Sequence, residues 1–162
     1  MCSQRRPLTL LQHDSVDSAF SPQFQERGVK MIKEELIEKA KEARERAYVP
    51  YSRFKVGAAL LDRHGRIHMG CNVENAAYGP TNCAERTALF RAIADGEPRR
   101  TFQAIAVVGD TKRPITPCGV CRQVLVELCA PDMPVLLSNL NGNVEETTVA
   151  ALLPGAFTEN DL

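Results

Sequence analysis

The sequence predicts an α/β fold, a three-layer α/β/α sandwich with a mixed central sheet of about five strands. Segments with apolar residues at helical spacing alternate along the chain with short apolar runs, and clusters of turn residues separate them. Interleaved helices and strands of this kind pack as layers around one sheet. The chain has 162 residues, 44% of them hydrophobic, and this size and composition are typical of one globular domain.

The first predicted elements are a helix and a pair of strands. Residues 1–28 show no sustained period, and we predict that they form a disordered arm before a single domain over 29–162. A helix is predicted from Met31, where apolar residues begin to recur at helical spacing, and it ends before Pro50. Two strands joined by the turn "DRHG" are predicted in "FKVGAALLDRHGRIHMGCNVEN".

The second half of the chain continues the alternation of helices and strands. Helices are predicted from Cys83 to about Ala94 and from Cys118 to about Cys129. The continuous apolar run "FQAIAVVG" is typical of a buried strand, and "MPVLLSNL" predicts another. After the turn "NGN", the segment "VEETTV" predicts an edge strand, and "TVAALL" a last helical turn.

Charge and hydropathy exclude two classes of partner. The chain carries 20 basic and 20 acidic residues, whereas a nucleic-acid partner requires a basic excess that displaces counterions, so we expect no nucleic acid. No apolar run approaches the ~18 residues of a membrane span, so we expect no membrane partner. Residues 1–28 lack the apolar core and cleavage site of a secretory signal. A cytoplasmic location is therefore predicted.

Cysteine spacing predicts a metal site. The six cysteines are expected to stay reduced in a chain without a secretory signal, which leaves them free to bind metal. Cys118 and Cys121 form a C-x2-C pair that can hold one ion from a single helical turn, and Cys83 is a third candidate. Three protein ligands are typical of a catalytic zinc site, in which water takes the fourth position. The alternative is a structural zinc site with Cys71 as the fourth ligand. The three histidines have no ligand spacing to these cysteines and are expected at the surface.

Glu85 stands two residues after Cys83 and is a candidate for proton transfer. At this spacing it can contact a zinc-bound water without binding the metal. Zinc lowers the pKa of its water toward ~7, and a neighbouring carboxylate can take that proton and return it to a leaving group. A glutamate two residues after the first ligand, followed by a later P-C-x-x-C, here Pro117 to Cys121, resembles the pattern of zinc base deaminases.

Three thiolates leave a zinc centre with a net negative charge, and nearby positive groups could offset it. Both cysteine stretches open predicted helices, whose positive ends favour thiolate. Arg86 and Arg122 are candidates to donate hydrogen bonds to sulfur, with Arg86 preferred, and Gln123 is a further candidate donor behind the ligands. The alternative is that both arginines are surface residues.

Five blocks, in this order, resemble the small homotetrameric zinc-dependent cytidine deaminases of the cytidine and deoxycytidylate deaminase family: "SRFKVGAALL", "CNVENAAYG", "NCAERTAL", "PCGVCRQVL" and "LLPGAF". The similarity covers the chain from about Met31 to Leu162, and the N-terminal extension departs from the family pattern. The resemblance implies a cytidine deaminase-like fold and self-association as a homotetramer. It also implies one Zn²⁺ per chain bound by Cys83, Cys118 and Cys121, with Glu85 shuttling protons.

The resemblance further implies which residues contact a nucleoside. Phe54 is expected to lie against the pyrimidine ring, and the backbone of Ala84 to hold the carbonyl of the base. Asn72 and Glu74 are expected to hydrogen-bond the ribose hydroxyls. Three residues are expected near the ligand of another subunit: Ala76, Tyr78 and Phe157. The other residues of the same segment are also assigned to substrate binding: Val73, Asn75 and Ala77.

The substrate predicted from the residues is a nucleoside. No glycine-rich phosphate cradle and no basic cluster accompanies the motifs, and Glu74 would repel a phosphate group. The predicted reaction is hydrolytic deamination of cytidine and 2′-deoxycytidine to uridine and 2′-deoxyuridine with release of ammonia, as in pyrimidine salvage. Two alternatives stay open. One is a deaminase of a related aminonucleoside antibiotic, and the other is a non-catalytic module scaffolded by zinc.

Overall fold

Five strands form a central sheet within residues 22–162, the part of the chain that this computed structural model describes. The strands are β1 Val56–Leu61, β2 Ile67–Cys71, β3 Ala104–Gly109, β4 Pro134–Asn139 and β5 Val144–Thr148. They pair in the order β2-β1-β3-β4-β5. β3 and β4 are parallel, and the other neighbours are antiparallel. The predicted mixed sheet, with the "VEETTV" strand at an edge, is confirmed.

Helices cover both faces of this sheet, which confirms the three-layer α/β/α sandwich. The helices are α1 Pro22–Arg44, α2 Ala84–Ala94, α3 Gly119–Leu128 and α4 Val149–Leu152. α1 packs on one face in a cluster with Ala59 and Leu61, whereas α2, α3 and α4 pack on the other around Ala58 and Leu60. Alternate residues of β1 thus enter opposite cores, as the pleat of a strand requires. A 3₁₀ helix at Glu159–Asp161, absent from the sequence-based prediction, lies near the C-terminus.

The first helix begins at Pro22, before the start at Met31 that helical spacing predicted. Proline is tolerated in the first turn because the amide it lacks has no partner there. Residues 22–28, which we had assigned to the arm, are therefore helical, and the rest of the arm, residues 1–21, lies outside the described residues. Among the side chains of α1 that the structure describes, those before Leu36 are exposed or half-buried, so burial imposes little apolar spacing on them.

Two glycines allow helices to approach the sheet closely. A Cβ added at Gly57 would lie 2.0 Å from the carbonyl oxygen of Ala40 on α1. A Cβ added at Gly70 would lie 2.4 Å from the carbonyl oxygen of Ala84 on α2. A side chain at either position would therefore push the helix away from the sheet. The position of α2 on β2 depends on Gly70 in particular.

His68 is buried, contrary to the surface position expected from the sequence. Its Nε2 lies 3.0 Å from Oδ2 of Asp62, and its Nδ1 lies 3.4 Å from Oδ2 of Asp95. Burial raises the pKa of Asp62, but hydrogen bonds from His68, Arg66 and His64 outweigh burial and lower it below its ordinary value. A buried, charged carboxylate therefore anchors the turn between β1 and β2.

None of the helices within residues 22–162 combines the length and the apolar character needed to cross a bilayer.

Candidate metal centre and adjoining cleft

The amino ends of α2 and α3 meet at one edge of the sheet. β2 and β3 both pair antiparallel with β1, so they run in the same direction. Each is followed by a loop and then by one of these helices, which therefore begin near the carboxyl ends of the two strands. Cys83 and Cys118 are the N-cap residues of α2 and α3. The topology thus brings the two cysteine stretches together.

The sulfur atoms of Cys83, Cys118 and Cys121 form a compact cluster. All three lie within 4.8 Å of one another, and the sulfurs of Cys83 and Cys118 are 3.8 Å apart. Tetrahedral zinc with Zn–S bonds of about 2.3 Å separates its sulfur ligands by about 3.8 Å. The three cysteines therefore have the chemistry and the spacing to hold one zinc ion.

The other described cysteines lie outside this cluster. The sulfur of Cys71 donates to the carbonyl oxygen of Arg46 at 3.4 Å. Cys129 is buried at the C-terminal end of α3, where burial raises the pKa of its thiol to about 12. A structural site with Cys71 as the fourth thiolate is therefore not formed. A centre with three protein ligands retains one open position.

The surroundings of the cluster favour thiolate at Cys83. A hydrogen bond from Cys121 lowers the pKa of Cys83 to about 5, and Arg86 acts in the same direction. The same pairing with Cys83 raises the pKa of Cys121, because the two sulfurs share a proton. Cys83 also lies at the positive end of α2, which stabilises a negative charge.

Of the two arginines predicted to donate to sulfur and the glutamine predicted behind the ligands, Arg86 is the one that contacts the cluster. Its Nη2 lies 3.5 Å from the sulfur of Cys83 and 3.2 Å from the carbonyl oxygen of Thr81. Arg122 donates instead to the backbone oxygens of Pro117 and Leu152, at 2.8 and 3.0 Å. Gln123 donates its amide to the carbonyl oxygen of Phe157 at 2.8 Å, so this donor is not directed at the ligands. Spacing alone could not separate the three, since each lies close to a ligand in sequence.

Glu85 lies in the first turn of α2 with only 4% of its surface exposed. Burial raises the pKa of its carboxyl to about 6, and the charge of Cys83 contributes in the same direction. A carboxyl with a pKa near neutrality can both accept and release a proton. Glu85 lines the same cleft as Cys83 and Cys118.

The cleft beside the cluster has a volume of about 330 Å³, within the range of small-molecule sites. Three residues predicted to contact a substrate line it: Phe54, Asn72 and Glu74. Five residues that the sequence analysis did not select as site residues line it as well: Ser52, Val56, Thr81, Ile115 and Thr116. The polar residues Ser52 and Thr81 adjoin predicted site segments, and this adjacency was the only available signal for them.

Asn72 and Glu74 connect the end of β2 to the segment before β1. Asn72 accepts the Val56 amide with Oδ1 and donates with Nδ2 to the carbonyl oxygen of Phe54, both at 2.9 Å. Glu74 accepts the backbone amides of Tyr51 and Ser52 at 3.0 and 3.1 Å, and also the Ser52 hydroxyl. The Ser52 hydroxyl and these amides lower the pKa of Glu74. Both side chains therefore shape the cleft, and each retains hydrogen-bonding capacity for a ligand.

The remaining predicted substrate residues occupy other positions. Ala84 is the buried first residue of α2, where backbone amides have no partner inside the helix. Val73 pairs through its backbone with Asn82. Tyr78 and Phe157 are 78% and 60% exposed and do not line the cleft of this chain. Three neighbours of Tyr78 are exposed in the same loop: Asn75, Ala76 and Ala77.

The chain is similar to proteins of known activity over most of its length. A family model described as "Cytidine and deoxycytidylate deaminase zinc-binding region" matches residues 30–137. A cytidine deaminase from Sporosarcina psychrophila is 62% identical over 129 residues, which cover 80% of this chain and 93% of the relative. A cytidine deaminase from Halalkalibacterium halodurans is 61% identical over 132 residues, which cover 82% of this chain and 98% of the relative.

Solved structures agree with these relatives. The crystal structure of cytidine deaminase from Burkholderia pseudomallei matches with a TM-score of 0.76 at 59% identity, covering 76% of this chain and 98% of that chain. The region matched by the family model contains the three clustered cysteines and Glu85. The chain therefore belongs to the cytidine and deoxycytidylate deaminase family, whose zinc-binding region it carries.

Proposed function

We propose that this chain catalyses the zinc-dependent hydrolytic deamination of cytidine and 2′-deoxycytidine, a reaction of pyrimidine salvage. The products are uridine or 2′-deoxyuridine and ammonia. Family membership and relatives that are cytidine deaminases support the reaction class. The observation that carries the proposal is that one cleft contains both the buried Glu85 carboxyl and the cysteine cluster.

Glu85 is the proposed proton carrier. When bound by Cys83, Cys118 and Cys121, zinc supplies the Lewis acidity that activates water for attack on C4 of cytosine. Glu85 accepts one proton of the attacking water and delivers it to N3. It then accepts the remaining hydroxyl proton and delivers it to the amino group, which leaves C4 as ammonia. Its burial excludes bulk water, which would compete for these protons.

The proposed substrate contacts use side chains that line the cleft and the first backbone amide of α2. Phe54 supplies an aromatic ring for the pyrimidine, and the amide of Ala84 supplies a donor for the carbonyl oxygen of the base. Asn72 has one N–H and one lone pair available for the sugar, and Glu74 adds a negative acceptor. A carboxylate at the sugar favours hydroxyls and opposes phosphate, which supports a nucleoside over a nucleotide.

We extend the proposal to a homotetramer whose neighbouring subunits complete each cleft. Support comes from two large side chains, Tyr78 and Phe157, that are exposed in the single chain. Isolated chains would leave these apolar groups in water, and contact with a neighbour would bury them. Sedimentation at micromolar concentration is expected to give the mass of four chains. The proposed cytoplasmic location suits thiolate ligands, which must stay reduced to bind zinc.

The first test measures ammonia release from cytidine and zinc content on the same purified sample. The expected result is turnover with about one zinc per chain. Faster turnover of an aminonucleoside antibiotic than of cytidine would reassign the substrate. Full zinc occupancy without turnover of any nucleoside would instead favour a non-catalytic zinc module.

Glu85→Gln tests the proton carrier. The amide has nearly the shape of the carboxyl but cannot exchange a proton at neutral pH, so kcat is expected to fall about 10³-fold. Zinc content and the thermal midpoint should match those of the wild type, because no zinc ligand changes. Glu127→Gln is the matched control, because it makes the same chemical change at an exposed position of α3. Wild-type turnover by Glu85→Gln would rule out the assigned role.

A further inference from the structure

We propose that Ser52 is a positioning residue that orients the Glu74 carboxylate toward the sugar hydroxyls of the substrate. The inference rests on the proposed function, because it concerns how the same cleft recognises the sugar. Ser52 belongs to the segment between α1 and β1, whereas Glu74 lies beyond the end of β2. Both residues line the cleft that contains Glu85.

The hydrogen bonds of Glu74 leave one acceptor site for a ligand. Oε2 accepts the backbone amides of Tyr51 and Ser52, at 3.0 and 3.1 Å. Oε1 accepts the hydroxyl of Ser52. A carboxylate offers about four acceptor sites, two on each oxygen. The site that remains is therefore on Oε1, beside the Ser52 hydroxyl, and this site is available to a hydroxyl of the sugar.

Ser52 also connects Glu74 to the segment that carries Phe54. Its hydroxyl oxygen accepts the backbone amide of Phe54 at 3.0 Å. Arg53, between the two, has a φ of 57°, a left-handed conformation that residues other than glycine seldom adopt. Such a conformation persists where the surroundings hold it in place. Here the Glu74 carboxylate binds the chain immediately before Arg53, so Glu74 and this turn fix one another.

Loss of the Ser52 hydroxyl would remove one of the three hydrogen bonds that hold the Glu74 carboxylate, together with the acceptor of the Phe54 amide. The terminal torsion of a glutamate side chain has a broad energy profile, so the direction of the free acceptor site depends on these hydrogen bonds. An acceptor that turns away from the sugar weakens substrate binding, whereas the metal centre and Glu85 do not depend on it. The expected signature is a higher KM with little change in kcat.

Ser52→Ala tests the inference with two substrates. For cytidine, KM is expected to rise about tenfold, with kcat within about twofold of the wild type. For 2′,3′-dideoxycytidine, which lacks the 2′- and 3′-hydroxyls and keeps only the 5′-hydroxyl, kcat/KM is expected to change less than about twofold, because neither hydroxyl on the sugar ring remains for Glu74 to bind. Ser52→Thr keeps the hydroxyl donor and is expected to restore KM for cytidine to within about threefold.

Two controls separate positioning from general damage. In a Glu74→Ala background, adding Ser52→Ala should raise KM for cytidine far less than tenfold, because the carboxylate is already absent and only the hydrogen bond from the Phe54 amide is lost. Thr101→Val removes a hydroxyl that donates to the carbonyl oxygen of Pro98, away from the cleft, and should leave both kinetic constants unchanged. Zinc content and thermal midpoint are measured for every variant.

The outcomes distinguish this inference from the proposed function. A wild-type protein that does not deaminate cytidine contradicts the proposed function, and with it the basis of the inference. An active wild type with unchanged KM in Ser52→Ala contradicts the inference alone. Equal losses of kcat/KM on cytidine and on the dideoxy substrate also contradict it, because they would show that Ser52 supports the whole cleft rather than the sugar contact.

Discussion

Replacement of Gly70 by alanine should impair catalysis through the position of α2. The new Cβ would lie 2.4 Å from both the carbonyl oxygen of Ala84 and the amide nitrogen of Ala88. Ordinary contact begins at 3.4 Å, so β2 and the first turn of α2 must separate by about 1 Å. This turn carries Glu85 and follows directly after Cys83. The substitution therefore displaces a zinc ligand and the proposed proton carrier together.

The magnitudes follow from this displacement. Overpacking of a close contact costs about 1–3 kcal/mol, which for a domain of this size lowers the thermal midpoint by about 2–4 °C per kcal/mol. A shift of about 1 Å in the catalytic groups is expected to lower kcat about 100-fold. Calorimetry of the purified variant and the initial rate of cytidine deamination at saturating substrate measure the two effects.

Gly57→Ala is the matched control on the opposite face of the sheet. Its Cβ would lie 2.0 Å from the carbonyl oxygen of Ala40, so it also forces a helix away. That helix is α1, and none of the candidate site residues lies on it. We expect a lower thermal midpoint but a kcat within about threefold of the wild type. A Gly70→Ala variant with wild-type kcat, or equal losses of kcat in both variants, would refute the reasoning.

Two further predictions concern groups around the site and the fold. Asp62→Asn should destabilise the protein by about 1–3 kcal/mol, because a buried acceptor for Arg66 and His68 is lost. The pKa of Asp62 is lowered from 3.8, so its stabilisation is full above that pH and is lost as the pH falls through the lower folded value. The difference in thermal midpoint between wild type and variant should hold between about pH 5 and 8 and shrink below about pH 4, and a constant difference would contradict the assignment. Arg86→Gln should weaken zinc binding about 10–100-fold in a chelator competition, because the donor to Cys83 is lost, whereas the exposed Arg91→Gln on the same helix should bind zinc like the wild type.

Most secondary structure was predictable because its signals are local. The strand "VGAALL", the turn before β2 and the helices that begin at the two cysteine stretches all appear where apolar spacing and turn residues predicted them. The predicted start of α1 was wrong, and the described side chains between Gly28 and Leu36 are exposed or half-buried, so burial imposes little apolar spacing there. Apolar periodicity arises from burial of one helix face, so it gives no signal for helical residues that are not buried.

The candidate site divides in the same way between sequence and tertiary structure. The cysteine pair at C-x2-C spacing, the third cysteine and Glu85 could be selected from sequence, because ligands on one helical turn must keep a fixed separation. The sequence analysis preferred Arg86 as the donor, but spacing could not show that Gln123 donates elsewhere, since that depends on which way each side chain points from its helix. The burial of His68 could not be predicted from sequence spacing, because it depends on a contact with the Asp62 carboxylate that forms in the folded chain.

By itself, the sequence determined the layered α/β fold, the metal-binding chemistry and the family of this protein, since each is encoded in spacings within one element or in contiguous motifs. Only the tertiary structure decided that Ser52 meets Glu74, which lies 22 residues away along the chain. It likewise decided that Cys71 stays outside the cluster and that Gly70 sets the position of α2. The physical reason is that contacts across loops depend on the path of the backbone through space, which no local period records.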